Sequence, residues 1–167
     1  WLLAGVMLLA IALVTMLYRR VRETHQRLAA SHVQLQVQSE RDPLTNLANR
    51  RHFQAVMAEL ETTRGFEGVL LLVDIDHFKK INDVHGHSAG DQVLVEVARR
   101  LNEAVRNDDL VVRWGGEEFL ILAPQAAAEQ AEQMATRVLR ILGQTPISVG
   151  THALRVTGSI GYARFPL

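Results

Sequence analysis

Residues 68–91 read GVLLLVDIDHFKKINDVHGHSAGD: an apolar strand, a short helix, a glycine-rich loop and the start of a longer helix. Gly68–Asp74 has strand length and suits a strand buried on both faces. Phe78–Asp83 predicts the short helix, and about Ala89–Val105 the long one. Downstream, Leu110–Trp114 and Glu118–Ala123 read as two strands joined at Gly115-Gly116, a hairpin signal. Ala126–Leu142 is Ala-rich and amphipathic, and His152–Arg164 reads as strand material broken by Gly158 and Gly161. Upstream, Asp42-Pro43 predicts an N-cap and first helical position, opening a helix to about Thr62. The order is a helix followed by β-α-β-β-α-β, the α+β, ferredoxin-like arrangement.

The chain has 167 residues, 48% of them hydrophobic, with 18 basic and 18 acidic side chains and no cysteine. That length suits one ordinary domain plus something short. Zero net charge argues against a protein that coats nucleic acid, and 5% aromatic residues are few for stacking single strands. Without cysteine there is no disulfide framework, zinc ribbon or thiol nucleophile.

Residues 1–17, WLLAGVMLLAIALVTML, carry no charge. As a helix they span roughly 25 Å, near the lower limit for crossing a bilayer, and Trp1 and Tyr18 stand where interface aromatics stand. A transmembrane helix is therefore expected over 1–18. Arg19, Arg20 and Arg22 follow it, which places the rest of the chain in the cytoplasm, at the inner membrane. The lack of an initiator Met suggests a longer parent chain. Residues 19–41 hold five Arg and two Glu, with Val21, Leu28 and Leu35 at seven-residue spacing. That stretch reads as a helical stalk, either a short parallel coiled coil or a helix whose arginines hold anionic lipid.

Asp74 and Asp76 end the first long strand, where alternation would put both carboxylates on one face. Glu117 and Glu118 follow the double glycine, at a hairpin tip that an antiparallel sheet can bring to the end of that strand. Such oxygen-only ligation favours Mg²⁺ or Mn²⁺, and a palm-like sheet with these acids suits attack of a 3′-hydroxyl on a triphosphate. Gly115 and Gly116 either let the backbone approach a nucleotide or simply make the turn. Asn82 and Asp91 flank one loop. A carboxylate there suits the N1–H and amine donors of guanine, whereas the structural alternative is a pair of helix-end residues. His85 and His87 read as packing residues, since no third His or Cys completes a zinc site.

Three blocks together, DPLTNLANRRHF (42–53), VDIDHFKKINDVHGHSAGD (73–91) and RWGGEEF (113–119), resemble the GGDEF family of diguanylate cyclases. The resemblance covers residues 41 to about 165. It implies condensation of two GTP into cyclic di-GMP, with two domains meeting as a homodimer. Asp74, the Ile75 carbonyl and Glu117 would bind Mg²⁺ or Mn²⁺, with Glu118 in the same catalytic motif. Asn82 and Asp91 would select guanine, and the amides of His77, Phe78 and Lys79 would cradle phosphates. Arg106 and Asp109 match the family's RxxD site, at which the product inhibits. Asn46 stands where a glycine is common, and Asn tolerates left-handed backbone. The family's later Lys- and Arg-bearing segment has no counterpart before Leu167, so the domain is expected to be C-terminally incomplete. A catalytically silent receptor for cyclic di-GMP is the alternative function.

Overall fold

The computed structural model describes residues 15–16, 18–22, 40–62, 67–127 and 129–165. The chain divides into two units, Trp1–Ser39 and Glu40–Leu167. In the first, residues 15–16 and 18–22 are helical and exposed. Most of the expected membrane span and stalk lie outside the described residues. Among the described residues no helix is long and apolar enough to cross a membrane.

The second unit runs β1 (Ala48–Asn49), α1 (Arg50–Thr62), β2 (Gly68–Ile75), α2 (Phe78–His85), α3 (His87–Ala104), β3 (Leu110–Gly115) and β4 (Glu118–Pro124). It continues with α4 (Gln130–Gly143), β5 (Ile147–Val149), β6 (His152–Leu154) and β7 (Gly158–Phe165). The main sheet has the order β1-β3-β4-β2-β7. Its four long strands pair antiparallel and β1 runs parallel to β3. This is the strand order of the expected βαββαβ arrangement with one short strand added.

Alternation along β2 puts Val69, Leu71, Val73 and Ile75 into the core, against Val93, Val97 and Leu101 of α3 and Val138 and Leu142 of α4. Those helical positions recur every four residues, along the stripe that a sheet-facing helix needs. The opposite face of β2 is not closed. Leu72 is 42% exposed and Asp74 half-buried, which corrects the expectation of a strand buried on both faces.

Three local expectations change as well. Asp42-Pro43 does not open a helix. The Asp42 carboxylate accepts hydrogen bonds from Thr45 N–H and Oγ1 at 2.8 and 2.7 Å, as an N-cap would. The chain then turns away at Asn46, whose φ is 57°, so the asparagine does occupy left-handed backbone. Helix α1 starts at Arg50, and its cap is Asn49, whose Oδ1 accepts from His52 N–H at 3.0 Å.

The turn between β3 and β4 falls at Gly116-Glu117, and Gly115 belongs to β3 at a register irregularity. The expected strand over 152–164 is two strands in different sheets. β6 forms a separate hairpin with β5, while β7 begins at Gly158 and runs through Gly161 opposite Leu72.

Candidate active site

The register of β2 with β4 carries the site. It runs from Gly68 opposite Pro124 to Asp74 opposite Glu118. Directly opposed residues on antiparallel strands point to the same face, so these two half-buried carboxylates are neighbours. Like charges so placed repel, and a bound cation relieves that cost. One step further along, Ile75 N–H donates to the Glu117 carbonyl at 3.4 Å. Asp74, the Ile75 main chain, Glu117 and Glu118 therefore meet at one end of the sheet.

Asp76 does not join them. β2 ends at Ile75, so strand alternation no longer governs the next side chain. Its carboxylate accepts hydrogen bonds from Thr157 Oγ1 and Ser159 Oγ, both at 2.7 Å. Those two hydroxyl bonds hold its pKa below the ordinary carboxylate value. Asp76 ties the end of β2 to the approach of β7, which corrects the expectation of paired Asp74 and Asp76 carboxylates.

The hairpin tip is held from outside. Arg113 donates from Nε and Nη2 to the Gly116 carbonyl at 3.3 and 3.1 Å. Its Nη1 reaches Asp42 Oδ1 and Oδ2 at 3.0 and 3.2 Å. Trp114 packs edge-on to Phe53 of α1, with ring centroids 5.5 Å apart, and Arg50 lies 4.5 Å over its ring. At the tip, Gly116 has φ 51°, and a Cβ on Gly115 or Gly116 would meet nothing within 4 Å. The tip is thus rigidly based and open above.

His77 (φ 58°) turns the chain from β2 into α2. The first helical bonds run from Lys80 and Ile81 N–H to His77 O, so the amides of Phe78 and Lys79 open from the N-terminus of α2, a favourable place for phosphate. Phe78 itself is buried; His77 and Lys79 are exposed. Gly86 separates α2 from α3 with φ 84° and ψ 161°. The half-buried Asn82 lies against Gly90, the residue before exposed Asp91. The proposed base-reading pair is thus gathered from two helices.

Arg106 and Asp109 form a compact turn at the start of β3. Arg106 N–H donates to Asp109 Oδ2 at 2.9 Å, and Asp109 N–H to Arg106 O at 3.1 Å. A small cavity beside this turn is also lined by Gln130, Gln133 and Arg137 of α4. Arg137 Nε is buried and finds no hydrogen-bond partner among the described residues. Sequence reasoning missed Arg137, because a lone arginine on an amphipathic helix carries no signal of what α4 packs beside.

The donor set at the sheet end is all oxygen: two or three carboxylates and a main-chain carbonyl. It fits a hard divalent cation. Among the described residues no group of three or more His, Cys, Asp or Glu side chains is assembled to hold a metal ion by itself. The rings of His85 and His152 lie 5.2 Å apart, tilted by 52°, in keeping with a packing role for His85.

Residues 39–167 match the family model described as diguanylate cyclase, GGDEF domain. The chain is 36% identical over 155 residues to diguanylate cyclase DgcP of Pseudomonas aeruginosa, covering 89% of this chain and 23% of that protein. Diguanylate cyclase SiaD of the same organism, solved in complex with its activator SiaC, superposes with TM-score 0.72 at 38% identity. That match covers 92% of this chain and 60% of SiaD. The coiled coil and GGDEF domain of DgcB from Caulobacter crescentus, solved with c-di-GMP, superposes with TM-score 0.70 at 28% identity, covering 89% and 82%. The chain spans about a quarter to two-fifths of the length of the first curated relatives it matches.

Proposed function

The chain belongs to the GGDEF family of diguanylate cyclases, and on that premise we propose that it condenses two GTP into cyclic di-GMP. The observation that carries the proposal is the cross-strand pairing of Asp74 with Glu118, beside Glu117 and the Ile75 main chain. In each half-reaction a 3′-hydroxyl oxygen bonds to the α-phosphorus of the other nucleotide. The bond from that phosphorus to its bridging oxygen breaks, and pyrophosphate leaves with the electron pair. The hydroxyl proton passes to a base, the role assigned to Glu118, which faces Asp74 across the sheet. Two such transfers close the ring.

Asp74, Glu117 and the Ile75 carbonyl would hold Mg²⁺ or Mn²⁺, which when bound neutralises charge on the triphosphate and acidifies the hydroxyl. The amides of Phe78 and Lys79 hold phosphates, Asn82 and Asp91 read guanine, and the bare tip at Gly115-Gly116 lets the nucleotide close on the backbone. One domain presents one GTP, so turnover requires two copies facing each other.

Arg106 and Asp109, with Arg137 on the same cavity, form the site through which cyclic di-GMP restrains the enzyme. The complex of the similar DgcB domain with c-di-GMP supports product binding by such a domain. Residues 1–18 anchor the chain in the inner membrane, and 19–41 form the stalk that couples it to the cytoplasmic domain 42–167. Their hydropathy and charge support that assignment.

The test is product analysis after incubating the full chain with GTP and Mg²⁺. Cyclic di-GMP and pyrophosphate are expected at one to two. Glu117→Gln should lower turnover at least about 100-fold while leaving cyclic di-GMP affinity at Arg106 and Asp109 unchanged. No product from the parent chain, together with intact cyclic di-GMP binding, would mean that the domain is a receptor.

A further inference from the structure

Gly90 occupies the fourth position of the 18-residue helix α3. Inside a helix glycine costs roughly 1 kcal/mol relative to alanine, so helix formation does not favour it there. The neighbouring element supplies a reason. A Cβ at position 90 would stand 2.0 Å from Asn82 Oδ1, 3.0 Å from Asn82 Cγ and 3.1 Å from Phe78 Cζ. A carbon–oxygen separation of 2.0 Å is deep inside van der Waals contact. The Asn82 carboxamide therefore fills the volume that any side chain at 90 would need. Phe78, 8% exposed and packed in the core, has to give only a few tenths of an ångström, whereas the 2.0 Å overlap forces the half-buried Asn82 to rotate away.

We propose that Gly90 is a positioning residue for base selection. Its missing side chain seats the Asn82 carboxamide against the first turn of α3, next to Asp91, so that the two side chains read one guanine together. The proposal rests on Asn82 and Asp91 being the guanine-reading pair. A hydrogen-bonding pocket discriminates only when its donors and acceptors are held in register with the base. A rotated Asn82 leaves Asp91 to bind alone and permits adenine more nearly equally.

The experiment measures the affinities of the full chain for GDP and ADP, which carry the two bases but cannot release pyrophosphate by condensation. Melting temperatures are recorded alongside. The variants are Asn82→Ala, Gly90→Ala and the double substitution. Gly90→Ala is expected to lower the GDP-over-ADP preference at least about tenfold, to the level of Asn82→Ala, and to lower the melting temperature. The double variant should show no further loss of preference and should regain melting temperature, because the clashing carboxamide is gone.

A guanine preference left intact by Asn82→Ala removes the underlying reading, and this proposal with it. Preference lost in Asn82→Ala but kept in Gly90→Ala overturns the positioning role alone, as does a double variant with additive losses. If Gly90→Ala fails to fold, a folded double variant with the Asn82→Ala preference supports the proposal. A double variant that also fails to fold overturns it, since the glycine then serves only helix packing.

Discussion

Arg113 joins two parts of the molecule through one guanidinium, and its side chain and that of Asp42 are 15% and 17% exposed. Burial works to raise the Asp42 pKa. Hydrogen bonds from Thr45 and Arg113, together with the Arg113 charge, outweigh it and hold the carboxyl below its ordinary value. Lysine has the charge but not the fork. Arg113→Lys should keep a contact with Asp42 and release the Gly116 carbonyl, costing about 1 to 2 kcal/mol in denaturant unfolding. It should also lower turnover, because Glu117 follows the released residue. Unchanged stability together with unchanged turnover would refute the bracing role. The RWGGEEF block was legible as a motif, but the arginine's task was not. Its partner Asp42 is 71 residues away, and pattern within the block contains no trace of it. Asp76 teaches the same lesson: its acidity suggested a metal ligand, and the hydroxyls of Thr157 and Ser159, 81 and 83 residues later, took it elsewhere.

Helix α3 was placed closely by its apolar period, and α4 to within about one turn at its start, because that period is a local property. What fastens them was hidden. Arg100 is 4% exposed and donates to Leu142 O and Thr145 O, each at 2.7 Å, and to Thr145 Oγ1 at 3.0 Å. It thereby satisfies carbonyls that the end of α4 leaves open. Glu96 orients Arg100 through a 2.9 Å bond to its Nε.

Hydrogen bonds from Arg99, opposed by burial, and then from Arg100 hold Glu96 at about 2, against about 4.3 for an unperturbed glutamate. A depressed folded pKa stabilises above the unfolded value and loses that contribution as pH falls. Wild type should therefore exceed Glu96→Gln by about 1 kcal/mol at neutral pH, after allowance for solvent screening. The gap should shrink below about pH 4 and vanish only below about pH 2. Unfolding curves across that range check it, and a gap constant with pH would refute the linkage. The misplaced start of α1 has a comparable cause. Asp42 makes the side-chain bonds of a cap, and only the left-handed turn at Asn46, set by pairing of Ala48 and Asn49 with β3, redirects the chain.

For the whole molecule, the proposed two-copy reaction makes activity a question of how domains are presented to each other. A helical stalk over 19–41 would govern that presentation through its phase, since each added residue turns a helix by about 100°. Inserting one to four helix-forming residues there should change turnover several-fold, with partial return near a full turn. Rates of cyclic di-GMP formation measured in detergent or nanodiscs check this. Equal rates across all four insertions would exclude a stalk that transmits by phase.

The sequence by itself determined the βαββαβ order of the long elements, the apolar stripes of α3 and α4, and the family, because these rest on local periodicity and on side-chain types at short spacing. It also marked Asp74, Asn82, Asp91, Glu117 and Glu118 as the residues to watch. Only the tertiary structure decided that Asp74 faces Glu118, that Asp76 serves β7, that Asn82 lies in the space left by Gly90, and that Arg137 stands beside Arg106 and Asp109. Each of these is a relation between different elements, most of them far apart in the chain. Sheet register and helix packing place such partners together, and neither is encoded in any one stretch of residues.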